Sequence, residues 1–307
     1  MTMPDDLNRP AVLLLAHGSP DSVDEVPDFL LQVTSGRPLP PHVIEEVKHR
    51  YSLIGRSPLT ELTLKQAELL ARESGLRVYV GMRNWKPFIA DAVRRMTSDG
   101  VRRAVVVCMA PQNSRTSVGL YRSALTGAGE LPFAIDFVDS WHDEPLLNRA
   151  FAEKLIAGWE RACSQSGMKV PIIFTAHSVP LRTITDGDPY ETQARETATL
   201  VAREAQLTQG DWTFAFQSQG MSGGAWLGPT VEDTILGLKE KGHRAVFLQP
   251  VGFLCDHVEV LYDIDIAFKQ FAEKHGMRLW RSESLNESPV LTQALAAVVK
   301  FRTGKVS

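Results

Sequence analysis

The feature that most constrains this chain is a restart. Ala11–Ala16 (AVLLLA) is an unbroken apolar run closed by His17-Gly18-Ser19-Pro20, and Val170–Ala176 (VPIIFTA) is closed the same way by His177-Ser178-Val179-Pro180. A strand that is apolar on both faces belongs inside a parallel sheet covered by helices, not in a half-solvated antiparallel one. After the first run, helices are expected over Asp24–Val33, Val43–Leu53, Leu59–Ser74, Pro87–Thr97, Thr116–Thr126 and Glu144–Cys163, with a Pro/Gly loop at Ser35–Pro41. Strands are expected at Arg77–Gly81, Arg103–Met109 and Phe133–Val138. After the second run come helices at Tyr190–Ala205, Val231–Lys241, Asp256–His275 and Ser288–Phe301, and strands at Trp212–Gln217, Arg244–Val251 and Met277–Arg281. Strand–helix alternation of this kind is the α/β signature. GVRRAVVVCMAP and KGHRAVFLQPVG echo one another as the two closing turns do. The chain therefore reads as two similar α/β halves, residues 1–140 and 141–307, joined near Asp139–Glu144, with the last helix free to pack back on the first half. Equivalent strand ends would put His17 and His177 at the mouths of two facing sheets, where open α/β sheets take their ligands.

Composition narrows the function classes. Of 307 residues, 44% are hydrophobic and 22% charged, as in an ordinary globular protein, and a net charge of -3 argues against nucleic acid or an anionic membrane as partner. Cys108, Cys163 and Cys255 lie far apart and form no CxxC pair, which speaks against a disulfide framework or a cysteine-ligated zinc or cluster. The polar start MTMPDDLNRP is unlike a signal peptide, and no apolar run has the length of a spanning helix. The expected location is the cytoplasm.

The chemistry concentrates in QPVGFLCDHVEVLYDIDI, Gln249–Ile266, where an apolar strand turns abruptly polar. On a regular helix Asp256, Glu259 and Asp263 would form one stripe, with His257 pointing elsewhere. Stacked carboxylates repel unless a cation or protons occupy the face. Two readings stand: a solvated acidic face, or a cation or proton site at a strand's carboxyl end. His177 has the same two readings, a structural histidine or a base and metal ligand in a cleft. Paired with Glu259 it supplies one nitrogen and one oxygen, too few for a permanent structural zinc site but suited to a metal held briefly or to a base with a carboxylate partner. Gly220-Met221-Ser222-Gly223-Gly224 matches the nucleophile elbow G-x-S-x-G, yet GGAWLGP continues as loop where that elbow needs a helix. GxGxxG, Walker A and HExxH are all missing, and His257-x-Glu259 lacks the P-C-x-x-C of the deaminases. Tryptophans 85, 141, 212, 226 and 280 fall near element ends, as packing residues or as walls for a flat aromatic ligand.

FTAHSVP (Phe174–Pro180), GDPY (Gly187–Tyr190), WLGP (Trp226–Pro229), PVGFLCDHVEVLYDID (Pro250–Asp265) and RSESLNESP (Arg281–Pro289) occur in the order of the ferrochelatase family, and the chain resembles that family from Val12 to Phe301. The resemblance implies two Rossmann-like domains with a porphyrin cleft between them, the second carrying the metal-insertion residues, and insertion of ferrous iron into a porphyrin in haem biosynthesis. It implies that His177 and Glu259 flank the insertion point and that Asp263 lies on an approach path for the metal. It further implies that His17, Arg50, Tyr51, Ser57, Arg83 and Tyr121 line the porphyrin site. Iron is then a substrate; no permanent cofactor and no iron–sulphur cluster is expected, since no extra cysteines lie near Lys305. The partners implied are the porphyrin and Fe2+, with no membrane insertion and with room for transient contact with neighbouring haem-pathway enzymes. Three positions depart from the family pattern: His17 replaces a tyrosine, Ala267 stands where some members have glutamate, and Arg83 stands where relatives have lysine. The region VTSGRPLPPHVIEEVKHRY is short and polar and contains Arg37, which resembles the type that uses coproporphyrin III to give coproheme and not the membrane-docking type that uses protoporphyrin IX. Rival classes are a sirohydrochlorin-type cobalt or iron chelatase, whose first turn resembles His17-Gly18-Ser19, and a non-catalytic tetrapyrrole-binding protein.

Overall fold

The computed structural model describes residues 9–219 and 224–304. The chain forms two compact units: one of residues up to Pro111, Ser117–Trp141 and everything from Asn286, the other of Gln112–Thr116 and His142–Leu285. Division is therefore not a simple cut at 140/141. Gln112 is drawn into the second unit because its amide donates to Thr197 Oγ1 and the Val251 carbonyl, both at 3.0 Å.

In the first unit the order is β1 (Ala11–Ala16), α1 (Val26–Val33), α2 (Pro41–Ile54), α3 (Leu59–Ser74), β2 (Val78–Met82), α4 (Ile89–Ser98), β3 (Arg103–Cys108), α5 (Val118–Thr126) and β4 (Ala134–Val138). In the second it is α6 (Pro145–Ser166), β5 (Ile172–His177), α7 (Leu181–Thr185), α8 (Tyr190–Glu204), β6 (Trp212–Gln217), α9 (Val231–Glu240), β7 (Ala245–Pro250), α10 (Val258–Leu261), α11 (Lys269–Lys274) and β8 (Arg278–Arg281). The last helix, α12 (Pro289–Gly304), returns to the first unit, lies against α3 and β3, and buries Leu291, Leu295, Val298 and Val299.

Each sheet is parallel, and the two share one strand order, β2-β1-β3-β4 and β6-β5-β7-β8. Val12 lies opposite Val78 and Val105; Ile173 lies opposite Thr213 and Leu248. β1 and β7 are buried at every position, as continuous apolar runs covered by helices must be. Helices come very close where glycine permits it. A Cβ on Gly158 of α6 would stand 2.8 Å from the Phe247 ring, and one on Gly81 of β2 would stand 2.9 Å from the Ile89 Cα. With these orders the direction of winding reverses between β1 and β3, and again between β5 and β7. Those two reversals open crevices at the strands' carboxyl ends.

The expected helix Asp256–His275 is not continuous. It is α10, then a π-helical stretch Asp263–Phe268, then α11. The Tyr262 carbonyl accepts from both Ile266 N (3.1 Å) and Ala267 N (2.9 Å), the mark of one inserted residue. Asp256 precedes the helix altogether, so the stripe of Asp256, Glu259 and Asp263 does not exist. Smaller differences follow local chemistry. A 3₁₀ turn, Val23–Glu25, precedes α1, Pro41 opens α2 as a first-turn proline within the expected loop, and the short α7 follows Pro180. Among the described residues no helix is long and apolar enough to cross a membrane.

Candidate functional site

The crevice between β5 and β7 holds the second unit's chemistry. His177 is the last residue of β5, and Glu259 sits in the first turn of α10, just beyond β7. His177 Nε2 stands 3.3 Å from Glu259 Oε1, and the two side chains are 32% and 36% exposed, so the pair faces solvent from a walled position. The other ring nitrogen, Nδ1, meets the Ser178 carbonyl. With an acceptor facing each nitrogen, the ring is set up to carry two protons. Burial opposes its charge, but the Glu259 carboxylate and the Ser178 carbonyl outweigh that, with Asp263 adding a smaller pull, and the imidazole is pushed up to about 9.

The motifs scattered along the sequence converge as braces on this pair. From GDPY, the Tyr190 hydroxyl donates to the His177 carbonyl at 2.9 Å. Burial, above all, pushes that phenol well above its ordinary range, so it acts as a neutral donor. From WLGP, Leu227 N donates to the Val179 carbonyl at 3.0 Å, and Ser178 Oγ donates to the Leu227 carbonyl at 2.8 Å. On the other side, buried Gln217 accepts from Thr175 Oγ1 at 2.7 Å and donates to the Glu259 backbone carbonyl at 3.0 Å. Its neighbour Ser218, in the left-handed region at φ 60, donates from Oγ to Asp263. Asp263 is only 8% exposed. His257 caps α10, its Nδ1 accepting from Glu259 N at 3.3 Å. Asp256 and Asp265 are held by Arg281, at 3.3 and 2.7 Å. Gln217, Ser218 and Arg281 carry no local sequence signal for these roles beyond the place of Arg281 in RSESLNESP.

The crevice between β1 and β3 is built differently. His17 is exposed, with Nδ1 3.0 Å from the Gly18 carbonyl and Nε2 2.9 Å from the Asn84 amide nitrogen. Gly18, at φ 84, has no room for a Cβ, which would lie 2.9 Å from the Trp85 backbone. Tyr51 is buried with its hydroxyl 3.1 Å from Ser19 Oγ. Ser57 is buried, and its Oγ meets no hydrogen-bond partner among the described residues. Arg83 lies over the Tyr121 ring at 6.0 Å, and burial lowers its pKa. Arg50 pairs with Glu46 one helical turn away, at 3.0 Å. Thus His17, Tyr51, Ser57, Arg83 and Tyr121 all belong to the first unit, and His177, Glu259 and Asp263 to the second.

Among the described residues no three His, Cys, Asp or Glu side chains converge as a metal cage. A histidine–carboxylate pair offers a passing dication one nitrogen and one oxygen, and offers a proton two places to rest. The glycine-rich Gly220–Gly223 part of the G-x-S-x-G match lies outside the described residues.

The sequence matches the profile of the ferrochelatase family over residues 9–303. It is 54% identical to a ferrochelatase of Acidobacterium capsulatum, covering 95% of this chain and 94% of that one. It is 36% identical to a coproporphyrin III ferrochelatase of Geobacillus thermodenitrificans, covering 96% of each. Among solved structures, SirB from Bacillus subtilis with Fe3+ superposes with a TM-score of 0.58 at 10% identity, over 97% of this chain and 96% of that one. At that identity the likeness is one of fold: an α/β chelatase architecture with two parallel sheets.

Proposed function

The chain belongs to the ferrochelatase family, and on that premise we propose that it inserts Fe2+ into coproporphyrin III, giving coproheme. Insertion of iron into a porphyrin follows from membership; the choice of porphyrin is the step taken here. It is supported by the short polar region between Val33 and Tyr51, with Arg37 and Arg50, since a more heavily carboxylated substrate asks for more cationic partners. A relative at 36% identity also bears the name coproporphyrin III ferrochelatase. Protoporphyrin IX is the second reading, favoured by Leu31 and Leu53, which are 40% and 49% exposed on the helices flanking that region.

The observation that carries the site assignment is the 3.3 Å approach of His177 Nε2 to Glu259 Oε1 at the end of β5. Metallation requires both pyrrole N–H protons to leave and Fe2+ to shed water. In our reading His177 accepts a pyrrole proton or holds the metal in transfer, and Glu259 is its anionic partner. A protonated imidazole does neither. Because the pair keeps His177 protonated to about pH 9, that proton must leave first. An arriving dication favours the neutral ring, and the displaced proton passes to the solvent that the pair faces. Asp263, anchored by Ser218, extends the negative field one turn along the approach. The first unit's His17, Arg50, Tyr51, Ser57, Arg83 and Tyr121 contact the porphyrin in this reading. We propose no resident cofactor and no iron–sulphur cluster. Three cysteines, far apart in the sequence, fall short of the four thiolates such a cluster takes.

One assay tests this: protein with Fe2+ under anaerobic conditions and coproporphyrin III, protoporphyrin IX or sirohydrochlorin, followed by visible absorption. Coproporphyrin III is expected to be metallated fastest. For His177→Ala, metallation is expected to vanish while porphyrin binding, read by fluorescence quenching, remains. Weakened binding with normal turnover at saturation would refute the role given to His177.

A further inference from the structure

We propose that Arg281 is a positioning residue for metal insertion: from the end of β8 it fastens both ends of the segment that carries Glu259 and Asp263. The inference rests on Glu259 acting as proposed above.

That segment needs an external anchor. α10 has four residues, far below the length at which a helix holds itself, and the π-helical stretch interrupts the ordinary ladder directly after it. Arg281 spans both ends. Its Nε donates to Asp265 Oδ1 at 2.7 Å and its Nη2 to Asp265 Oδ2 at 2.8 Å, a two-pronged grip on the π-helical side. Nη2 also donates to Asp256 Oδ1 at 3.3 Å, on the side where the chain leaves β7. Ser284 Oγ donates to the same Asp256 oxygen at 2.7 Å, and Arg281 Nη1 donates to the Ser282 carbonyl at 2.9 Å. The RSES run is therefore a clasp. The Arg281 side chain is 15% exposed and that of Asp256 20%, but that of Asp265 is 39%, so solvent screens the clasp in part. β8 is itself fixed to β7, with Arg281 opposite Leu248, so the clasp refers Glu259 back to the sheet that carries His177. A lysine would carry the charge without the fork and could hold one carboxylate at a time.

The test is steady-state kinetics on the full chain, with Fe2+ and porphyrin under anaerobic conditions, well below each variant's melting temperature. Arg281→Gln is expected to lower kcat about tenfold or more while KM for porphyrin stays within about twofold, as when an outer partner of a site residue is lost. Arg281→Lys should recover part of the rate. Arg302→Gln breaks a comparable ion pair in the first unit, Arg302 with Asp136 at 3.1 Å, and should leave kcat unchanged. In a Glu259→Asp background, where the carboxylate is already displaced, Arg281→Gln should add less than about threefold, because neighbours acting as a unit are not additive. If Arg281→Gln does not fold, Asp265→Asn, which removes the two-pronged acceptor and leaves Asp256, is measured in its place. Unchanged kcat, a loss that Arg302→Gln reproduces, or full multiplication in the Glu259→Asp background overturns the proposal. Glu259→Gln at the wild-type rate would sink the reading of Glu259 itself; an impaired Glu259→Gln beside a normal Arg281→Gln sinks only the role of Arg281.

Discussion

His17 and His177 occupy equivalent turns, yet their neighbours differ. His17 meets a carbonyl on one nitrogen and the Asn84 amide on the other; His177 meets a carbonyl and a carboxylate. The difference is measurable at His177. In the free protein its imidazole should titrate near pH 9, followed by NMR. In Glu259→Gln the midpoint should fall, because the largest pull against burial is removed and only the Ser178 carbonyl and Asp263 remain to oppose it. A midpoint unmoved by that substitution would mean that Glu259 does not set the charge of His177. The linkage has a definite sign. A folded-state pKa above the unfolded one stabilises the fold fully below pH 6.5, and that contribution is lost as pH rises through about 9. Wild type should therefore lose melting temperature over that window relative to Glu259→Gln.

Elements show what could and could not be read from residues alone. The strands fell where continuous apolar runs stood, because a buried strand has little freedom in composition. AVLLLA at β1 is the plainest case. Helix starts shifted by a residue or two at Pro41 and Val118, as helix ends do. The stretch after β7 departs from the expected continuous helix for a deeper reason. Its residues have ordinary helical periodicity, and Asp265 within the π-helical stretch is held by Arg281, which arrives from a different strand. Periodicity reports only neighbours in sequence. The same limit hid Gln217 and Ser218, whose partners lie far along the chain. The meeting of His177 with Glu259 was expected from motifs and strand ends, not from any local spacing between them. Helix-to-strand packing carries its own test. Gly158→Val would drive a side chain into the Phe247 ring and should destabilise the fold by about 1–3 kcal/mol through overpacking, measured by urea unfolding. A neutral result would show that α6 can lift from β7 at little cost.

On the scale of the whole molecule, a shared strand order and matching closing turns describe one architecture used twice with different furnishings. One crevice received an acid beside its histidine; the other received an amide. The chain also crosses between units more often than a duplicated pair requires, since α12 comes back to α3 and β3 after the second unit is finished. That return has a consequence for the order of assembly on the ribosome. Proteins usually complete their domains from the amino end as the chain emerges. Here the earlier unit lacks a wall until residues beyond Leu285 are made, while the later one already has all its parts. A nascent chain halted near Leu285, with a linker long enough to clear the exit tunnel, should show a protease-resistant second unit and a sensitive first one. Equal resistance of both would show that the first unit closes without its last helix. The half of the molecule synthesised last would thus be the half that folds first, and the amino-terminal half would wait for the carboxyl-terminal helix to close it.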